Sequence, residues 1–436
     1  MYIRGVNEVV VKKGLYPLSY PQKGIWYLEK MYPSTGMANI SATLKFETKL
    51  DVRAANEALN HSIAKNETLR LRITEIDGDA FQYVSPFEPA AFDFIDFSGK
   101  DISELYKWDS MMNEEPIYGM DSPLYYFAII KINDNMAGFF AKLHHLISDA
   151  WTLVNLGNEL ISNYFNIING VTLSADKKPS YLEYLESEAE YFSSPRFEKD
   201  EEYWLERFST IPELTALKSR KQISTSLASN RLTFKLPEKL CTKIRPHCEK
   251  HKTSIFSLYM GAMAVYINRT LGINKIVFGT PVLNRKNTRE KNTMGMYVST
   301  VPLIVEVDDS KNYAEFTEGI NQEWMTLLRH QKYPYMMLLK KLRDKNPGLE
   351  KLYDIVISYQ NAKFIKTDSD HFQEGRWHQN STQNETLYIH INDREDDGDI
   401  IINYDYLTEL FYKKEIEFLH DHVIRLLWHF IDNPQR

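Results

Sequence analysis

Two adjacent histidines, His144 and His145, open the stretch His144-His145-Leu146-Ile147-Ser148-Asp149-Ala150. A neutral imidazole near pH 7 accepts a proton with little penalty, and a carboxylate close by orients it, so the pattern fits a general base. The same residues also fit a plain structural use: a histidine pair at a strand end satisfies backbone groups while Asp149 caps the next helix. No nucleophile motif competes. The chain has no Gly-x-Ser-x-Gly elbow, no Gly-rich phosphate loop and no dinucleotide fingerprint. An enzyme of this sequence is left with direct attack of one bound substrate on another beside a positioned base. Cys241 and Cys248 lie on one helix-like stretch next to His247 and His251. The two thiols are about two turns apart, too far for a local disulfide, and four convergent metal ligands are missing. Free thiols of a cytoplasmic protein, with no metal, are the expectation.

The elements around the pair follow from hydrophobic period. Leu124–Ile132 is a continuous apolar run, as a strand buried on both faces requires. Asn133-Asp134-Asn135 supplies a turn, and Ala137–Leu143 returns as the partner strand. A helix follows, striped by Leu153, Leu156, Leu160, Ile161, Tyr164, Phe165 and Ile168. The histidines thus fall on a strand-to-helix turn, expected at a sheet edge. Upstream, Leu44–Phe46 reads as a strand end. Asp51 then caps a helix whose inner face is Val52, Ala55, Leu59 and Ile63. Downstream, Ser254–Asn268 reads as helix, Lys275–Thr280, Val301–Val307 and Tyr353–Tyr359 as strands, and Leu387–Asn392 with Asp399–Tyr406 as a hairpin. A last helix runs from about Thr408 to Ile431, and residues 361–383 read as a long polar loop.

With 436 residues the chain exceeds one ordinary core, so two subdomains are expected. Residues 172–180 and 193–200 are polar linker candidates, and the division is placed in the second or in the helix just before it. Net charge is −7, which leaves no basic excess for a nucleic-acid backbone. No apolar run is long enough for a bilayer, and the mixed, charged residues 1–13 do not form a secretory leader.

The stretch His144–Ala150 resembles the HHxxxDG signature of the condensation-domain superfamily of nonribosomal peptide synthetases, related to chloramphenicol acetyltransferase. Other segments resemble that family in its own order. Ser19-Tyr20-Pro21-Gln22-Lys23-Gly24-Ile25-Trp26 is similar to its S-x-x-Q-x-x-x-W opening, and Asn66-Glu67-Thr68-Leu69-Arg70 to its H-E-x-L-R segment, with Asn for His. Met294–Thr300 is similar to G-x-x-V-N-T, with Ser299 for Asn, and His330–Tyr335 to H-Q-x-x-P-F. The resemblance implies that His145 is the catalytic base, that His144 supports it, and that Asp149 pairs with Arg285 from the second half to hold the turn. Ala150 replaces the motif's Gly; it is harmless as the first helical residue and strained if φ is positive there. In either case its backbone N–H remains available to an oxyanion. Trp151, Met296, Ser299 and Gln360 are candidate tunnel-lining residues.

The resemblance further implies an α/β fold of two chloramphenicol-acetyltransferase-like subdomains forming a V-shaped pseudo-dimer, residues 1–190 with the histidine motif and 191–436. It implies no bound cofactor. Substrates would arrive on phosphopantetheine arms of carrier proteins or as acyl-CoA, which raises effective concentration at the base. The acceptor would be a peptidyl carrier protein downstream in the same synthetase. An opening motif so close to Met1 suggests a starter domain, its donor an acyl-CoA or an acyl carrier acting in trans. An elongating condensation domain, an epimerase of the same fold and a non-catalytic carrier-docking module are the alternatives.

Overall fold

The computed structural model describes residues 14–218, 226–364, 371–394 and 398–436. Along the chain come β1 (Tyr16–Pro17), α1 (Tyr20–Met31), β2 (Asn39–Glu47), α2 (Val52–Lys65), β3 (Leu71–Ile76), β4 (Asp79–Val84), β5 (Asp93–Asp96), α3 (Ile102–Glu114), β6 (Tyr125–Asn133), β7 (Met136–His144), α4 (Ala150–Ile168) and α5 (Leu182–Phe192). Then follow α6 (Pro195–Arg207), β8 (Ser229–Lys235), α7 (Glu238–Lys250), α8 (Ile255–Leu271), β9 (Lys275–Val282), α9 (Thr288–Lys291), β10 (Ser299–Glu306), α10 (Tyr313–Leu327), α11 (Tyr335–Lys345), β11 (Ile355–Gln360), β12 (Phe372–Trp377), β13 (Leu387–Asn392), β14 (Ile401–Leu407) and α12 (Lys413–Asp432).

Two compact units emerge. Of the described residues, the first holds those of Met1–Ser193, Arg285–Tyr297 and Ala362–Ser381; the second holds those of Ser194–Asn284, Val298–Asn361 and Thr382–Arg436. The first boundary falls close to the cut after residue 190, but that single cut does not describe the units, because two later segments return to the first. Arg285, expected from the second subdomain, belongs to the first unit. The first boundary, between Ser193 and Ser194, falls inside the polar stretch 193–200, most of which is helical: Pro195 stands at the first helical position of α6, where its fixed φ suits a helix.

In the first unit five strands run in the order β12-β2-β7-β6-β5. β7 pairs antiparallel with β2 on one side and β6 on the other. The histidine pair therefore ends the middle strand of the sheet, not its edge. Phe127, Ile129, Phe139 and Ala141 pack on Ala55, Ala58 and Leu59 of α2 and Leu153, Leu156 and Leu160 of α4. The opposite face carries Ala128, Ile130 and Phe140 against Leu105 of α3. β6 is buried on both sides, which is why its sequence shows no alternation. Asp51 caps α2, accepting from the Ala54 N–H at 3.0 Å, but Val52 points to solvent rather than to the core.

The segment read as a polar loop carries β12, which adds to β2 from Phe372↔Phe46 to Trp377↔Ala42. An edge strand half open to solvent can be polar, and that hid it; residues 365–370 of the same segment lie outside the described residues.

The second unit has a six-stranded sheet in the order β10-β9-β11-β13-β14-β8. Ile355, Ile357, Ile389, Ile391, Ile402 and Tyr404 form its inner face. Met260 and Met263 of α8 and Leu419, Val423 and Phe430 of α12 cover it. α12 begins at Lys413, five residues later than Thr408, after a turn. Cys241 and Cys248 are free and buried, and burial pushes the Cys248 thiol up to about 12. His247 is driven down to about 4, chiefly by burial. Among the described residues no cluster of His, Cys, Asp or Glu could hold a metal ion, and no helix is long and apolar enough to cross a membrane.

Candidate active site

The site grows from the end of β7. The backbone N–H of His145 donates to the Ala38 carbonyl at 2.8 Å, which closes the sheet. The chain then turns tightly: Ile147 N–H donates to the His144 carbonyl at 3.0 Å, and so does the Ser148 hydroxyl. Asp149 follows as N-cap of α4, accepting from the Thr152 N–H at 2.9 Å. Ala150 is the first helical residue and is not among those with positive φ, so its Cβ costs nothing.

One bond sets the state of His145. Its Nδ1 lies 2.9 Å from the Ser148 carbonyl, which can only accept. Nδ1 therefore carries the proton and Nε2 the lone pair, an assignment made from the bonding pattern. Nε2 has no bonded partner among the described residues, and the side chain is half-buried. Burial holds the imidazole below its ordinary 6.5 and His144 adds to this; the Ser148 carbonyl and Asp149 act the other way. A neutral ring with a vacant Nε2 lone pair is what a general base needs near pH 7. His144, by contrast, is fully buried, its Nε2 3.1 Å from Glu29 Oε1.

Arg285 lies against Asp149, Nη1 to Oδ2 at 2.6 Å and Nη2 to Oδ1 at 3.1 Å, with both side chains out of solvent. Nη2 also donates to Thr152 Oγ1 and to the Gly295 carbonyl, each at 3.1 Å. The guanidinium stacks over Tyr297, 4.1 Å from its ring centre, and the Tyr297 N–H donates to Asp149 Oδ2 at 3.2 Å. Asp149 thus ties the histidine turn to segment 285–297. Gly295 permits this contact: its φ is +150°, and a Cβ there would sit 2.1 Å from the Tyr181 ring. Tyr181 in turn donates to the Met296 carbonyl at 2.6 Å.

The four candidate lining residues do not gather in one unit. Trp151 is half-buried and donates through Nε1 to the Lys291 carbonyl at 2.8 Å, and Met296 is buried; both are in the first unit. Ser299 and Gln360 are in the second. Asn284 Nδ2 donates to Ser299 Oγ at 2.7 Å, which places an amide beside the hydroxyl. Gln360 donates to Ser358 Oγ at 3.3 Å and to His390 Nδ1 at 3.0 Å, with Arg394 on its oxygen.

Sequence reasoning assigned no role to Gln22 or Glu29. Ser19 and Gln22 form a capping box at the start of α1, so the S-x-x-Q spacing has a local cause. Gln22 Nε2 also donates to the Leu146 carbonyl at 2.8 Å, inside the histidine turn. Gln22, Trp26 and Glu29 are the buried residues of α1. Polar residues at i and i+7 on a buried helical face were the available signal.

The chain as a whole is similar to known proteins. The family description "Condensation domain" matches residues 12–436. The chain belongs to that family, the amide-forming acyltransferases of nonribosomal peptide synthetases. It is 33% identical to surfactin synthase subunit 1 of Bacillus subtilis (strain 168) over 96% of its length and 12% of that protein's. It is 30% identical to a plipastatin synthase of the same organism, again over 96% of its length and 16% of the relative's. The chain thus spans a small fraction of these synthases. Among solved structures, the starter condensation domain of rhizomide synthetase in complex with C8-CoA is similar with a TM-score of 0.87 at 21% identity, covering 99% of this chain and 98% of that one. The first condensation domain of the calcium-dependent antibiotic synthetase gives 0.83 at 18%, covering 97% of each. The fold is that of solved condensation domains, the chloramphenicol-acetyltransferase-like α/β fold.

Proposed function

We propose that the chain is a starter condensation domain, joining an acyl group from an acyl thioester to the amine of an aminoacyl group held on a carrier's phosphopantetheine arm. The amine nitrogen attacks the thioester carbonyl carbon, and the C–N bond forms as the carbonyl becomes an oxyanion. His145 Nε2 takes the amine proton and hands it to the departing thiolate as the C–S bond breaks. The observation that carries this reading is the fixed tautomer of His145, with the Ser148 carbonyl on Nδ1 and a vacant lone pair on Nε2. Asp149 and Arg285 hold the turn. These steps need no resident cofactor, since the donor thioester is already activated and His145 handles the amine proton.

Two similarities support the starter type. The relative at 33% identity is the subunit numbered 1 of its synthase. Starter domains solved with C8-CoA, one also with Leu-SNAC, share the fold along nearly the whole chain. A long acyl donor gains roughly 0.8 kcal/mol per buried methylene. The test offers acyl-CoA donors of increasing length, and in parallel a peptidyl-loaded carrier, with an aminoacyl-loaded carrier as acceptor. Turnover rising with chain length and absent with the peptidyl donor is expected. Efficient peptidyl transfer without acyl-CoA turnover would make it an elongating domain. His145→Ala should lose about 10²–10⁴-fold of amide formation; near-normal yield at equal soluble protein would remove His145 from the chemistry.

A further inference from the structure

We propose that Glu29 is a positioning residue for amide formation, acting through His144 to hold the turn that fixes the tautomer of His145. Bonding polarity fixes the state of the His144 ring. Leu146 N–H donates to His144 Nδ1 at 3.0 Å, and a backbone N–H is always a donor. Nδ1 must therefore carry a lone pair. In a neutral ring the proton then sits on Nε2, which faces Glu29 Oε1 at 3.1 Å. A doubly protonated His144 would set an N–H against the Leu146 N–H. The two neighbouring histidines are thus held in opposite tautomers: His144 by a backbone donor and a carboxylate, His145 by a backbone acceptor.

The three residues that follow the pair, Leu146–Ser148, bond to both histidines. Leu146 is anchored at both ends of its peptide, its N–H on His144 and its carbonyl on Gln22. Ile147 N–H and Ser148 Oγ close back onto the His144 carbonyl. The turn therefore wraps the His144 ring, and the last carbonyl of the wrap is the one that holds His145 Nδ1. His144 is 1% exposed and Glu29 4%, so no water replaces either partner. Tyr118 packs its ring 5.4 Å from that of His144 and shields the pair further. Without the carboxylate, His144 has two poor choices. It keeps Nε2–H with no acceptor, or moves the proton to Nδ1 and opposes Leu146. Either one loosens the turn, and the Ser148 carbonyl no longer dictates which nitrogen of His145 is bare.

This rests on His145 being the base, but the first readout does not depend on activity. Nitrogen NMR of the full chain with labelled histidine, assigned with His144→Gln and His145→Gln, reports each ring's tautomer. The wild type should show His144 bare at Nδ1 and His145 bare at Nε2. A wild-type His144 protonated at Nδ1 overturns the proposal outright, whatever any variant does. Glu29→Ala should give mixed tautomers at both rings and lower kcat by about 10–100-fold, the size typical for loss of an outer-shell partner that orients a histidine, with KM little changed. Glu29→Gln keeps an acceptor oxygen and should restore the tautomers and most of kcat. In a His144→Ala background, Glu29→Ala should cost nothing more, because the path is already broken. A folded Glu29→Ala protein with the wild-type His145 tautomer, or additive losses in the double variant, refutes the mechanism. Absence of amide formation in every protein, with the tautomers as expected, would instead count against the function proposed for the site.

Discussion

Removing the Asp149 carboxylate tests the site most directly, because the structure specifies what would be left behind. Asp149→Ala strands the Arg285 guanidinium, whose side chain has no solvent exposure, and takes both oxygens away from it. It also orphans the N–H groups of Thr152 and Tyr297. An uncompensated buried charge costs about 3–5 kcal/mol, and the lost helix cap adds about 1 kcal/mol. Arg285 keeps Thr152 Oγ1 and the Gly295 carbonyl, which offsets part of the sum. We expect about 3–5 kcal/mol in all, against total stabilities of roughly 5–15 kcal/mol. For a unit of this size that lowers Tm by about 6–20 °C.

The assay is a double-mutant cycle by urea unfolding, followed through the unit that carries the pair. Arg285→Met alone should cost a similar amount, since it leaves the carboxylate buried. Asp149→Ala combined with Arg285→Met should cost far less than the sum, since no charge is then stranded. Asp149→Asn, which keeps an acceptor for Thr152 N–H, should lie between wild type and Asp149→Ala. Strictly additive losses in the cycle would refute the pairing. An Asp149→Ala protein with unchanged unfolding but abolished amide formation would mean that the carboxylate acts in the chemistry instead.

Three more outcomes follow from the same structure. The acid limb of kcat/KM should lie below the ordinary histidine value of 6.5, because burial disfavours the protonated form of His145; an inflection above that value in a pH–rate profile would contradict the environment described. Stability should fall as pH drops from about 6.5 toward 4. His247 and His420 are held down to about 4 and His378 to about 3, mainly by burial, so the unfolded chain binds protons there that the folded chain does not. Asp109, raised to about 6 by burial, and Glu385, also raised by burial, work in the opposite direction, but they are two carboxyls against five histidines held down, His145 and His390 being the others; unfolding free energies equal at pH 7 and pH 5 would sink this account. Gly295→Ala should cost on the order of 2–4 kcal/mol, since φ is +150° and the new Cβ meets the Tyr181 ring; an unchanged Tm would show that segment 285–297 can shift away.

What the sequence made legible divides along a physical line. Local signals were readable: the apolar run of β6, the cap at Asp51, the stripe of α4 and the histidine turn between strand and helix all follow from the period and chemistry of neighbouring residues. Long-range placement was not. Nothing in the composition of 361–383 says that Phe372–Trp377 should pair with a strand more than three hundred residues earlier, because an edge strand need bury only one face and can stay polar. The same holds for the return of Arg285–Tyr297 to the first unit. Its determinants are one guanidinium, one carboxylate and a glycine that lets Tyr181 approach, and each alone is an ordinary residue. Glu29 is the sharpest case. A carboxylate on the inner face of α1 breaks the apolar pattern, and such a break is costly unless the group is bonded. In the sequence alone Glu29 has no assigned role, because its burial is not visible without the fold. Only the fold shows that the partner is a histidine one residue from the base.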